Sequence, residues 1–178
     1  MTLDYLNDAG ESENKSKRLL DRFSRLERFI LNKIPDGTLR ISCKQMNENA
    51  QNEGITTATE KDIRTLLYFL TVKGYTHKKE DAAHNLEVKR QADMEVTIKR
   101  FEKRLEICKF AVEWLYKLTL QTREEESQKK GIQFSIVELL NDLKIQEQNT
   151  FDIFQDIQLE DVEEALLYLS KIGALKLE

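Results

Sequence analysis

The sequence predicts a mainly α protein with small β hairpins. Three observations predict it. Apolar residues recur at helical spacing over long stretches, short stretches of strict alternation lie between them, and the same order of elements occurs twice. The organising stretch is residues 93–126, which contain no Gly or Pro. Along it Met94, Ile98, Phe101, Leu105, Cys108, Val112 and Leu115 step by four and three in turn. Only a long helix places such a 3.5-residue period on one side. Up to Leu105 the apolar stripe is narrow and flanked by Lys99, Arg100, Lys103 and Arg104. From Ile107 to Leu118 apolar residues nearly surround the helix, as expected where protein encloses it. The helix therefore reads as a spine that leaves one lobe and forms the core of a second.

The elements before the spine follow in order. Residues 1–16 are polar and acidic and read as a mobile lead-in. Residues 17–34 read as a helix, with Leu19, Phe23, Leu26, Ile30 and Ile34 as its apolar stripe, stopped by Pro35-Asp36-Gly37. Residues 38–42 alternate, with Leu39 and Ile41 on one face, and read as a strand. Ser42 caps a helix over residues 43–52, and Gly54 ends it. Thr59 with Asp62 three residues later is a capping-box signal opening a helix over residues 60–73, which buries Ile63, Leu66, Leu67 and Leu70 and ends at Gly74. Residues 75–79 and 86–90 read as the strands of a hairpin.

Helix, strand, helix, helix, hairpin is the element order of a winged-helix domain. After the spine the order starts again. Gly131 breaks the spine, residues 132–134 match residues 39–41, and Ser135 caps a helix through Leu143. A polar loop with Phe151, Ile153 and Phe154 leads to a helix over residues 158–172 and a strand over 174–177. A shift of 99 residues superposes Ile63, Leu67, Leu70 and Gly74 on Val162, Leu166, Leu169 and Gly173. The expected architecture is two tandem winged-helix-like lobes joined by a long helix. The first spans residues 17–91. The second spans 92–178 and is truncated in its wing, as in a fragment of a larger protein.

Composition limits the function. The chain has 178 residues, is 40% hydrophobic and 34% charged, and carries a formal net charge of −4. A net-acidic chain meets nucleic acid only through a local basic patch. There is no apolar run long enough for a membrane span and no signal peptide, and the two cysteines, Cys43 and Cys108, suit buried thiols; a cytoplasmic protein is expected. Phosphate-binding glycine loops are missing, and His77 and His84 lie in the hairpin with no Cys nearby, so no ATP site, zinc site, catalytic residue or cofactor is predicted. The carboxylates occur at solvated helix spacing. The spine seam and the stripe of residues 19–30 need partners and can serve each other, so a monomer is expected over a homodimeric coiled coil.

The basic residues are the candidates for a site. Lys61 and Arg64, with Thr65 and Tyr68, mark the outward face of the helix over residues 60–73, and Lys78, Lys79, Lys89 and Arg90 mark the hairpin. These types contact phosphates by charge and hydrogen bonding. The competing reading is a solvated face balanced by Glu60, Asp62, Glu80 and Asp81. In the second lobe the equivalents of Lys61, Arg64 and Thr65 are Glu160, Glu163 and Glu164. An acidic helix cannot lie against a duplex carrying about one negative charge per 1.7 Å. That lobe is expected to be structural or to dock a basic partner.

The runs LERFILNKIPDGTLRISCKQMNENA, TEKDIRTLLYFLTVKGYTHKKED and DIQLEDVEEALLYLSKIGALKLE, with the spine between them, resemble an accessory region of large bacterial RecQ-type ATP-dependent DNA helicases. The resemblance covers residues 18–178 and is one of sequence texture, without a catalytic motif. It implies a non-catalytic piece outside the motor lobes, partnered by DNA and by the motor domains of its own parent chain, in DNA repair or recombination. The zinc-binding cysteines of that family have no counterpart here. A hairpin tip used by some members would map to His77 or His84, although Ala82-Ala83 at the tip does not suit a stacking wedge. Two alternatives stand beside it: a protein–protein scaffold using the acidic lobe and the seam, and a free-standing winged-helix transcriptional regulator.

Overall fold

The computed structural model describes residues 2–3, 9–34, 37–55, 57–74, 76–80, 85–125, 132–147 and 156–177. The elements are β1 (Thr2–Leu3), α1 (Ala9–Lys33), β2 (Thr38–Ser42), α2 (Cys43–Asn52), α3 (Glu60–Val72), β3 (Thr76–Glu80), β4 (Asn85–Arg90), α4 (Met94–Glu125), β5 (Ile132–Gln133), α5 (Ile136–Glu147) and α6 (Leu159–Lys171). The protein is mainly helical. Its larger sheet is antiparallel with strand order β2-β4-β3, and β1 pairs separately with β5. Two compact units form: Asp21–Arg100, and Met1–Leu20 together with Phe101–Glu178. α1 and α4 each contribute residues to both. Among the described residues no helix is long and apolar enough to cross a membrane.

In the unit Asp21–Arg100, α1 buries Phe23, Leu26, Phe29, Ile30 and Leu31. Ser42 ends β2 in an extended conformation and accepts from the Gln45 N–H at 3.5 Å, so the strand turns directly into α2. α3 opens on a reciprocal capping box. The Thr59 N–H donates to Asp62 Oδ2 at 3.0 Å and the Asp62 N–H to Thr59 Oγ1 at 3.2 Å. It buries Ile63, Leu66, Leu67, Phe69 and Leu70, each worth about 1.5–3 kcal/mol on removal from water. Gly74 then takes φ +77, the left-handed conformation that closes a helix. The sheet presents Ile41, Leu86 and Val88 to this core. β2 precedes α2 in the chain but pairs with β4, with Leu39 opposite Val88 and Ile41 opposite Leu86.

In the other unit, α4 buries Phe101, Ile107, Cys108, Ala111, Val112, Leu115 and Tyr116. Thus the enclosed end of the spine lies where apolar residues surround it. α5 adds Leu139, Leu140 and Leu143. α6 buries Val162, Ala165, Leu166, Tyr168 and Leu169, and each is 99 residues beyond a buried residue of α3. Both helices are 13 residues long. Asp161 accepts from the Gln158 N–H at 2.9 Å as Asp62 does from Thr59, and Gly173 takes φ +76.

Several local expectations differ from the structure: β1 lies within the stretch read as a lead-in, and α5 runs to Glu147, past the expected end at Leu143. α1 starts at Ala9, within the stretch read as a lead-in. Ser16 explains why: it is buried, donates to the Ala174 carbonyl and meets the Tyr116 hydroxyl at 3.1 Å. Those partners lie 100 and more residues away, so no local pattern announces the helix start. Along 174–177, only Leu177 pairs as a bridge. The N–H groups of Ala174 and Leu175 instead return to the Leu169 carbonyl, closing α6. Finally, Arg104, one of the basic residues expected to flank the spine's apolar stripe, is buried. Its guanidinium carbon lies 4.3 Å from the Tyr168 ring centroid and Nη1 lies 3.8 Å from Glu164 Oε1. Phe151, Ile153 and Phe154 fall outside the described residues.

Candidate nucleic-acid interface

The basic residues of Asp21–Arg100 are distributed by two local rules. On α3 the 3.6-residue period leaves Lys61 and Tyr68 exposed while Ile63, Leu66 and Leu67 turn inward. In the sheet the two-residue period sends alternate side chains to opposite faces. Leu86, Val88 and Arg90 therefore share the inner face, and Glu87 and Lys89 share the outer one.

Five of the six sequence candidates then have a defined side-chain position, and Lys78 has a position in the strand ladder. Lys61 is exposed on the first turn of α3. Arg64, half-buried, donates from Nη1 to Glu80 Oε1 at 3.1 Å, and that carboxylate holds the guanidinium above its ordinary value. Lys79 and Lys89 are exposed on the outer face of the sheet. Lys78 pairs with Val88 across the ladder, a position on the inner-face register; its side chain lies outside the described residues. Arg90 is 7% exposed. It donates from Nη1 to the Ile34 carbonyl at 2.7 Å and from Nε to the Ala92 carbonyl at 3.2 Å. Its charge is spent on closing the C-terminal end of α1 and the turn after β4, a structural task.

The structure therefore joins Lys79 and Lys89 on one surface and keeps Arg90 inside. It also adds a residue that sequence reasoning passed over. Arg40, in the middle of β2, is exposed on the outer face and lies opposite Glu87, which lies opposite Lys79. In the next row, Thr38, Lys89 and His77 are paired across the same three strands. The alternation Leu39-Arg40-Ile41 was the available signal, since placing Leu39 and Ile41 inward puts Arg40 outward. His84 and the hairpin tip Ala82-Ala83 fall outside the described residues.

The acidic helix of the other unit is less open than its sequence implies. Lys103 Nζ lies 2.7 Å from Asp161 Oδ2, and Arg104 faces Glu164. α4 thus neutralises part of α6 from within the unit, while Glu160 and Glu163 stay exposed.

No protein-family model, curated protein or solved structure matches this chain.

Proposed function

We propose that this chain is a non-catalytic DNA-binding accessory module built from two winged-helix-like lobes, each formed around part of a long helix. The observation that carries the reading is the strand order β2-β4-β3. A strand lying between the first two helices joins the hairpin that follows the third, so three helices and a three-stranded sheet close around one core. A winged helix has that connectivity, and this unit offers exposed lysines, Lys79 and Lys89, on the hairpin. The matching burial, capping and terminal glycine of α3 and α6 support a tandem arrangement. Attachment to an ATP-dependent DNA helicase rests on the resemblance of residues 18–178 alone. The motor domains of the parent chain would be its second partner.

Anisotropy of labelled duplex, forked and single-stranded DNA, titrated with the whole chain over a salt series, tests this. Binding should weaken linearly on log–log axes, with a slope of about 0.9 per duplex phosphate contacted. Absence of binding at low salt ends the DNA reading. The scaffold reading would then take its place, favoured by Val137 and Ile145, which are 53% and 61% exposed on α5.

A further inference from the structure

We propose that the unit Asp21–Arg100 holds nucleic-acid phosphates on the outer face of its three-stranded sheet, through Arg40, Lys79 and Lys89, and that α3 is not the contacting element. This rests on the DNA-binding reading and assigns its surface.

The face is built by register. Arg40 of β2, Glu87 of β4 and Lys79 of β3 form one cross-strand row, all exposed, and Lys89 follows Glu87 by two residues on the same face. Neighbouring strands lie about 4.8 Å apart, so Arg40 and Lys79 are anchored about 10 Å apart on a rigid ladder. Among the described side chains of this face, three cations, Arg40, Lys79 and Lys89, accompany one carboxylate, Glu87, in a chain whose net charge is −4. The opposite face carries Ile41, Leu86 and Val88 into the core, while Arg40, Glu87, Lys79 and Lys89 on the outer face stay exposed.

α3 has the opposite character. Its first turn carries Glu60 and Asp62, and Asp62 is engaged by Thr59 and by Arg22 Nη2 at 3.6 Å. Arg64 is held by Glu80. Beyond it the exposed surface is Tyr68 and Val72, 51% and 57% exposed. One lysine among these groups makes a poor track for a backbone bearing about one charge per 1.7 Å. Cations that contact phosphates set position and affinity without reading bases, so binding through the sheet is tolerant of sequence.

The test uses the whole chain, a labelled duplex of arbitrary sequence and three variants. The triple variant Arg40→Ala, Lys79→Ala, Lys89→Ala should weaken binding about tenfold or more at moderate salt and lower the salt slope by about 2.7, or 0.9 for each of three cations. The double variant Lys61→Ala, Arg64→Ala should change affinity less than about twofold, and Glu87→Gln should tighten it. A loss in the double variant with none in the triple overturns the proposal and leaves the DNA reading standing; no binding by the unaltered chain overturns both. Should the triple variant not fold, Glu87→Gln decides, since tighter binding supports the sheet face and unchanged binding overturns it.

Discussion

Lys103 Nζ sits 2.7 Å from the Asp161 carboxylate oxygen that also accepts from the Gln158 N–H at 2.9 Å. One carboxylate thus starts α6 and ties it to α4. Asp62 does the same in the other unit, accepting from Thr59 and lying 3.6 Å from Arg22 of α1. Each is the third residue of its helix, where a negative charge also suits the helix dipole.

Asp161→Ala should lower stability by about 1–2 kcal/mol, combining a lost cap of about 1 kcal/mol with a half-exposed ion pair worth less than about 1 kcal/mol. Asp62→Ala should cost a similar amount. Asn at either position should restore the capping part alone. Urea unfolding midpoints measure this; an unchanged midpoint for Asp161→Ala would sink the double role.

Arg90→Ala should destabilise by about 2–3 kcal/mol, because the buried Ile34 carbonyl and the part-buried Ala92 carbonyl lose their charged donor. Arg90→Lys should recover only part, since an ammonium cannot reproduce the forked geometry. DNA affinity of either variant, measured where it is folded, should equal that of the unaltered chain. A selective loss of DNA binding with full stability would contradict the structural role.

Tyr116 is held above its ordinary pKa chiefly by burial, opposed by the Ser16 hydrogen bond and reinforced by Glu13. Folding thus favours the neutral phenol. The stabilisation is complete below the ordinary tyrosine value of about 10 and is lost as pH rises through the raised folded value. Tyr116→Phe should cost about 1 kcal/mol near neutrality through the lost Ser16 bond. Its deficit relative to the unaltered chain should shrink above about pH 10, because Phe has no proton to lose. Thermal unfolding of both proteins at neutral and alkaline pH gives the comparison, and a pH-independent deficit would refute it.

Much of the fold was legible because its signals are local. The strand Thr38–Ser42 and the helix Cys43–Asn52 match their expected bounds, and Glu60–Val72 ends one residue early. Alternation, the Ser42 cap and the Thr59–Asp62 box all act within four residues. The candidate surface was half legible. Lys79 and Lys89 were singled out by residue type, but charge alone does not say which side of a strand a residue occupies. Alternation within Leu86, Val88 and Arg90 already placed Arg90 inward, and the same rule placed Arg40 outward.

By itself the sequence determined the mainly helical class, the position of the hairpin and the repeated pattern that makes α3 and α6 alike, because periodicity and capping depend on near neighbours. Tertiary structure alone decided what distant partners decide. Residues 9–16 became helix, with Ser16 buried against Tyr116 and Ala174. Thr2 and Leu3 became a strand because Gln133 and Ile132 offered their backbone to them. Arg104 and Arg90 went inside because Tyr168, Glu164 and the Ile34 carbonyl were there to receive them. A buried charge is tolerated only where a partner is waiting, and such partners are set by the fold rather than by adjacent sequence.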